Sequence, residues 1–181
     1  LLVKLFIKNY QDTKNPSVRE KYGYLSSLVG ILVNILLALS KYLIGITTKS
    51  IAISADAINN LSDSVSNIIT LFSFKMANMK PDKEHPFGHG RIEYVAALVV
   101  GFIVELMGYE LIKSSIEKIK NPEAVVFSVP AIIVLLISIG GKIWLALFNR
   151  YLGKKIDSPA MSAVVADSIS DTTATAITLI S

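Results

Sequence analysis

Apolar residues gather into five stretches of twenty or more, separated by short polar connections. At 1.5 Å per residue, each stretch folded as a helix crosses the roughly 30 Å hydrocarbon core of a bilayer. The boundaries read Tyr24–Ile46, Ile51–Asn78, Ile92–Ile116, Val125–Phe148, and a fifth from Pro159 to the end. Thr47–Ser50 makes a very short connection, and Lys80–Arg91 a charged loop whose two prolines and two glycines break any continuing helix. Glu117–Glu123 and Asn149–Lys155 supply the remaining turns. Residues 1–23 are mixed and basic, and their opening Leu1–Lys8 reads as a short amphipathic helix lying at a membrane surface. The pattern predicts an all-α membrane protein, a bundle of transmembrane helices with five present.

Two of the five spans carry polar stripes. In the second span Asp56, Asn59, Asn60, Asp63, Asn67 and Thr70 fall on one side at about 100° per residue, with Ile58, Leu61, Val65, Ile68 and Ile69 outside it. In the fifth span Asp167, Asp171, Thr175 and Thr178 make a comparable stripe. Asn59 with Asp63, and Asp167 with Asp171, are i, i+4 pairs, so each pair shares a helix face near mid-span. Ser66, Asn67 and the threonines read as glue between membrane helices. The aspartates do not, because clustered carboxylates repel unless protons or a cation neutralise them. Ionisable groups at membrane depth mark ion paths.

The chain is 52% hydrophobic with a mean hydropathy of +0.54, which alone is only slightly above a soluble domain. The absence of cysteine excludes disulfides and thiolate metal sites. The net charge of +4 implies no nucleic-acid partner, because the basic residues lie between apolar runs. Twelve Lys and Arg residues fall in the N-terminal segment, the Lys75–Arg91 region and the Arg150–Lys155 loop. The opposite connections hold four: Lys49, Lys113, Lys118 and Lys120. That bias places the N-terminus and the histidine-bearing loop in the cytoplasm. No removable signal peptide is evident. The chain starts without methionine and stops inside an apolar run, so a longer protein is expected.

Ser54–Asp63, Phe87–Glu93 and Ala166–Asp171 together resemble the cation diffusion facilitators, in matching order and spacing across essentially the whole chain. The resemblance implies a transmembrane cation-efflux domain over residues 24–181, with a sixth helix and a cytoplasmic domain beyond it. It further implies a homodimer in the plasma membrane of a bacterium that exports divalent metal in exchange for protons, with no resident cofactor and no enzyme activity. By motif match, Asn59, Asp63, Asp167 and Asp171 fall on the four ligands of the transport site. Zinc-exporting members carry a histidine there, and the only histidines of this chain are His85 and His89 in the loop. An all-oxygen set suits manganese, with iron(II) next and zinc after it.

Asp82, His85 and His89 read either as a cytoplasmic loop metal site or as a solvated turn. Asp56 and Glu105 are candidates for a proton path, with an internal ion pair as the alternative for Glu105. Lys41 falls in the outer half of the first span. Lys142 falls in the inner part of the fourth, with its stem snorkelling to the interface. Gly101 and Gly108 offer close helix approach. An intramembrane aspartyl protease and a passive channel are the rival classes, and helix-breaking glycine motifs near the acids, which the protease would need, are absent.

Overall fold

A computed structural model describes residues 2–48, 51–120 and 129–180. The helices are α1 (Leu2–Phe6), α2 (Pro16–Thr47), α3 (Ile51–Ala77), α4 (Ile92–Lys120), α5 (Val129–Ile156) and α6 (Pro159–Ile180). The long ones, α2 to α6, coincide with the five expected spans. Lys49, the Val125 start of the fourth span and the side chains of Lys118 and Thr178 lie outside the described residues.

Helix boundaries moved where polar residues had been read as loop. α2 begins eight residues before the expected Tyr24, because Asn15 caps it and Pro16 stands in its first turn. The Asn15 side chain accepts the Ser17 amide at 3.0 Å, satisfying a donor that an uncapped helix end leaves free. α5 runs through the expected Asn149–Lys155 connection to Ile156, since Leu152, Gly153 and Ile156 continue its buried face. The turn into α6 is only Asp157 and Ser158, with Asp157 in the left-handed region at φ 49°.

The radial distribution of side chains is inverted relative to a water-soluble bundle. Leu32, Leu43, Leu98, Phe102, Ile137 and Leu147 are all more than half exposed. Asn34, Lys41, Asp63, Asn67, Lys142 and Asp171 are all at 2% or less. Lipid tolerates that arrangement and water does not: the apolar belt needs no burial, and the polar groups turn inward, away from hydrocarbon. Among the described residues α2, α5 and Ile92–Glu110 of α4 are long and apolar enough to cross a membrane by length and composition. α3 and α6 are the two helices with polar stripes.

α2 packs along α3 at glycines. An ideal Cβ on Gly23 would lie 2.1 Å from Phe74, one on Gly30 2.1 Å from Asn67, and one on Gly45 2.3 Å from Ser54. Small residues thus let the two backbones approach closely. α6 lies against α5, α4 and α3, and α2 also touches α5, so α3 and α6 are neighbours inside the bundle. Gly101 and Gly108 on α4 meet nothing within 4 Å, so their expected close approach is to no described element.

The bundle end that carries the N-terminus is closed by an apolar cluster of Val18, Tyr22, Phe74, Leu152, Ile156 and Met161. α1 joins this cluster through Val3 and Ile7 while Leu5 and Phe6 stay exposed. It is therefore a one-turn plug on the bundle end that keeps an exposed apolar side, Leu5 and Phe6. Arg19 of α2 grips both carboxylate oxygens of Glu93, at 3.0 and 3.1 Å, and also donates to the Ile156 carbonyl, joining α2, α4 and α5.

Candidate metal-transport site

The stripes of α3 and α6 face each other inside the bundle. Asp63, Asp167 and Asp171 are at 2% exposure or less, and Asn59 is half-buried. Asn59 Nδ2 donates to Asp171 Oδ1, which joins the first residue of one i, i+4 pair to the second residue of the other. Asp167 stands within electrostatic reach of Asp63 and Asp171. Neither Asp63 Oδ1 nor Asp167 Oδ1 has a hydrogen-bond partner among the described residues. Buried acceptors left bare in this way are costly unless a cation reaches them. The donor set is one amide oxygen and three carboxylates, hard oxygen ligands without imidazole.

Two lysines complete the cluster. Lys142, at 1% exposure, sends its ammonium from α5 to Asp63 Oδ2 and, at 3.0 Å, to Asp171 Oδ2. Lys41, fully buried on α2, pairs with Asp56 Oδ2 at 2.8 Å. In the amide orientation that satisfies both ends, Asn60 accepts from Lys41 Nζ at 2.8 Å and donates to Asp171 Oδ2 at 3.1 Å. A continuous polar chain therefore runs Asp56, Lys41, Asn60, Asp171, Lys142, Asp63.

This corrects the placement of Lys142. Its stem does not snorkel; it points into the bundle, because α5 runs on to Ile156 and Lys142 lies well inside the helix, with its ammonium on Asp63 and Asp171. A cation in the middle of an apolar span pairs inward, and that was the signal available. Sequence reading also missed Asn149, taken for a loop residue, which is buried and accepts the Ser26 hydroxyl at 2.7 Å. Glu105 lies on the exposed face of α4, apart from the cluster and without an ion-pair partner among the described residues.

The loop between α3 and α4 brings its three candidates together. One ligand atom each from Asp82, His85 and His89 all lie within 4.8 Å of one another. Asp82 Oδ1 accepts the backbone amides of Glu84 at 3.0 Å and His85 at 2.6 Å, a turn stabilised by the aspartate itself. Gly88 at φ 80° then folds the chain back so that His89, 7% exposed, sits 3.5 Å from Asp82 Oδ2. The amide of His85, above all, holds the Asp82 carboxyl below the ordinary carboxylate range.

Residues 27–181 match the family described as the cation efflux transmembrane domain. The chain belongs to that family. It is 32% identical over 154 residues to the manganese efflux system protein MneS of Bacillus subtilis (strain 168), covering 83% of this chain and 52% of that one. Against the manganese efflux system protein MneP of the same organism it is 32% identical over 152 residues, 83% and 50% of the two chains. Mitochondrial metal transporter 2 of Saccharomyces cerevisiae matches at 38% over 112 residues, 62% of this chain and 22% of that one. The chain spans about half the length of the two manganese efflux relatives. Family membership and the inverted bundle together make this a multi-pass membrane domain of the cation efflux family.

Proposed function

We propose that the chain is the transmembrane part of a divalent metal exporter, a Mn2+/H+ antiporter working by alternating access. The observation that carries the reading is the meeting of Asn59, Asp63, Asp167 and Asp171, all oxygen ligands, where two helices face each other in the bundle interior. Manganese suits such a set, and two relatives similar to this chain are named as manganese efflux proteins. Cytoplasmic metal binds the ionised carboxylates, the helices reorient, and protons on the far side compete for the same oxygens and release the ion. Asp56, tied to Asp171 through Lys41 and Asn60, offers a carboxylate beside that path.

The cytoplasmic N-terminus follows from the lysine and arginine bias. Residues 1–23 precede the membrane domain of 24–181, and the working unit is a homodimer in a bacterial plasma membrane. The Asp82, His85 and His89 loop binds a second metal on the cytoplasmic side, subsidiary to transport. Iron(II) and zinc are the alternative cargoes, since zinc also takes carboxylates.

The test is metal-dependent proton flux with the full-length protein in sealed vesicles, comparing Mn, Fe, Zn and Cd. A pH jump should drive Mn2+ uptake without any metal gradient. Passive equilibration alone would make the protein a channel, and Zn2+ preferred over Mn2+ would overturn the cargo assignment.

A further inference from the structure

We infer that Lys142 is the resident counter-cation of the transport site, and that the metal must displace its ammonium in order to bind. The inference rests on the reading of the Asn59, Asp63, Asp167 and Asp171 cluster as the cargo site. Lys142 comes from α5, a helix that supplies none of the four ligands, yet its Nζ lies on one oxygen of Asp63 and, at 3.0 Å, on one of Asp171. The side chain is 1% exposed, so no water shields the charge. The other buried lysine does not substitute for it: Lys41 is held by Asp56 and Asn60.

Three carboxylates gathered in a low-dielectric interior repel, and the ammonium offsets that repulsion when no metal is present. A dication on the same oxygens would face the ammonium at contact distance, where like charges in a poorly screened interior repel strongly. The two occupants are therefore mutually exclusive. A lysine is suited to the exchange, because its compact charge rides on a flexible four-carbon stem that can withdraw without moving the helix. Displacement lowers metal affinity and so assists release. It also offsets part of the charge of the emptied site, the rest falling to the protons that released the ion. Lys142 is thus a positioning residue that sets how tightly cargo is held.

The experiment measures Mn2+ binding to the detergent-solubilised full-length protein at fixed pH, read from the loss of the free-ion electron paramagnetic resonance signal. His85→Ala and His89→Ala are present throughout to remove the proposed loop site, and the Asp171→Ala protein supplies the baseline for binding outside the membrane cluster. Lys142→Gln should bind Mn2+ more than about tenfold tighter than the parent, while vesicle transport slows because release is retarded. Lys142→Arg, which keeps the charge, should stay near the parent affinity. A merely structural role predicts weaker binding in Lys142→Gln. Asp171→Ala separates the two readings: if it binds Mn2+ like the parent, the cluster is not the cargo site. If it loses binding while Lys142→Gln binds no tighter than the parent, the displacement idea alone fails. Should Lys142→Gln not fold, acylation of Lys142 by a membrane-permeant anhydride decides the matter. Saturating Mn2+ should raise its labelling, counted by peptide mass spectrometry, and unchanged labelling overturns the inference.

Discussion

Asn59 on α3 donates its side-chain amide to Asp171 on α6, a bond between residues 112 positions apart in the chain. It ties the two polar stripes together at the level where the carboxylates gather. The amide orients one carboxylate, and in the proposed site its own oxygen would be the one neutral ligand.

Asp63→Asn and Asp171→Asn should each abolish metal transport while leaving the bundle folded. Each removes a charge from the proposed cargo site, and Lys142 keeps its second carboxylate in either variant. Loss of an outer-shell partner alone costs metal affinity roughly 10–100-fold, so loss of a ligand lies at or beyond that range. Vesicle transport beside a thermal unfolding profile checks both halves. Normal transport by either variant would show that the cluster is not the site.

Packing gives an independent prediction at α2. Gly23→Ala forces a methyl into the buried Phe74 ring, 2.1 Å from its nearest carbon. Overpacking of this kind costs about 1–3 kcal/mol, and the variant should melt at lower temperature than the parent. Gly101→Ala, whose added methyl meets nothing within 4 Å, should be near neutral in the monomer. A drop in dimer affinity for Gly101→Ala with an unchanged monomer would place the partner subunit on that face of α4.

The helices and the two polar pairs, Asn59 with Asp63 and Asp167 with Asp171, were legible because their signals are local. An i, i+4 pair of polar residues is visible on any apolar run, and an apolar run of twenty needs no partner to be recognised. Lys142 was misplaced for a local reason too. Ending its helix at Phe148 moved it toward the inner end, because Asn149, Arg150 and Lys154 look like a loop. The chain continues there as helix because Asn149 finds the Ser26 hydroxyl on α2, a partner 123 residues away that no window can see. The Arg19 fork on Glu93 and the Lys41 bond to Asp56 are of the same kind. The start of α2 was the avoidable error, since Asn15 followed by Pro16 is a helix-start signature.

The proposed loop metal should depend on both imidazoles, while Asp82 keeps its turn well into the acid range. Asp82 has a lowered folded-state pKa, chiefly from the His85 amide. Its contribution to the turn is therefore present above the unfolded value and lost only as pH falls through the lowered one. Imidazole must be neutral to bind metal. Co2+ absorption on the full-length protein in an Asp63→Asn, Asp171→Asn background should show a pH-dependent spectrum that His85→Ala and His89→Ala each remove. A spectrum indifferent to both histidines would leave Asp82, His85 and His89 as a solvated turn.

Asn59→His should shift preference from manganese toward zinc. The change sets an imidazole nitrogen where a neutral amide oxygen stood, and nitrogen favours the borderline-soft ion. The amide bond to Asp171 Oδ1 is replaceable, because an imidazole N–H can donate to the same oxygen. The position is half-buried on the polar stripe, so the larger ring points toward the other ligands rather than into lipid. Transport should also become more sensitive to pH near neutrality, since an introduced histidine with an ordinary pKa of about 6.5 must lose its proton before it binds metal. Activity should therefore fall more steeply on the acid side of neutrality than in the parent. Competition transport with Mn2+ and Zn2+ on both proteins decides the point. A Mn:Zn ratio unchanged by the substitution would mean that Asn59 aligns Asp171 without touching the ion, and that selectivity lies in the spacing of the three carboxylates.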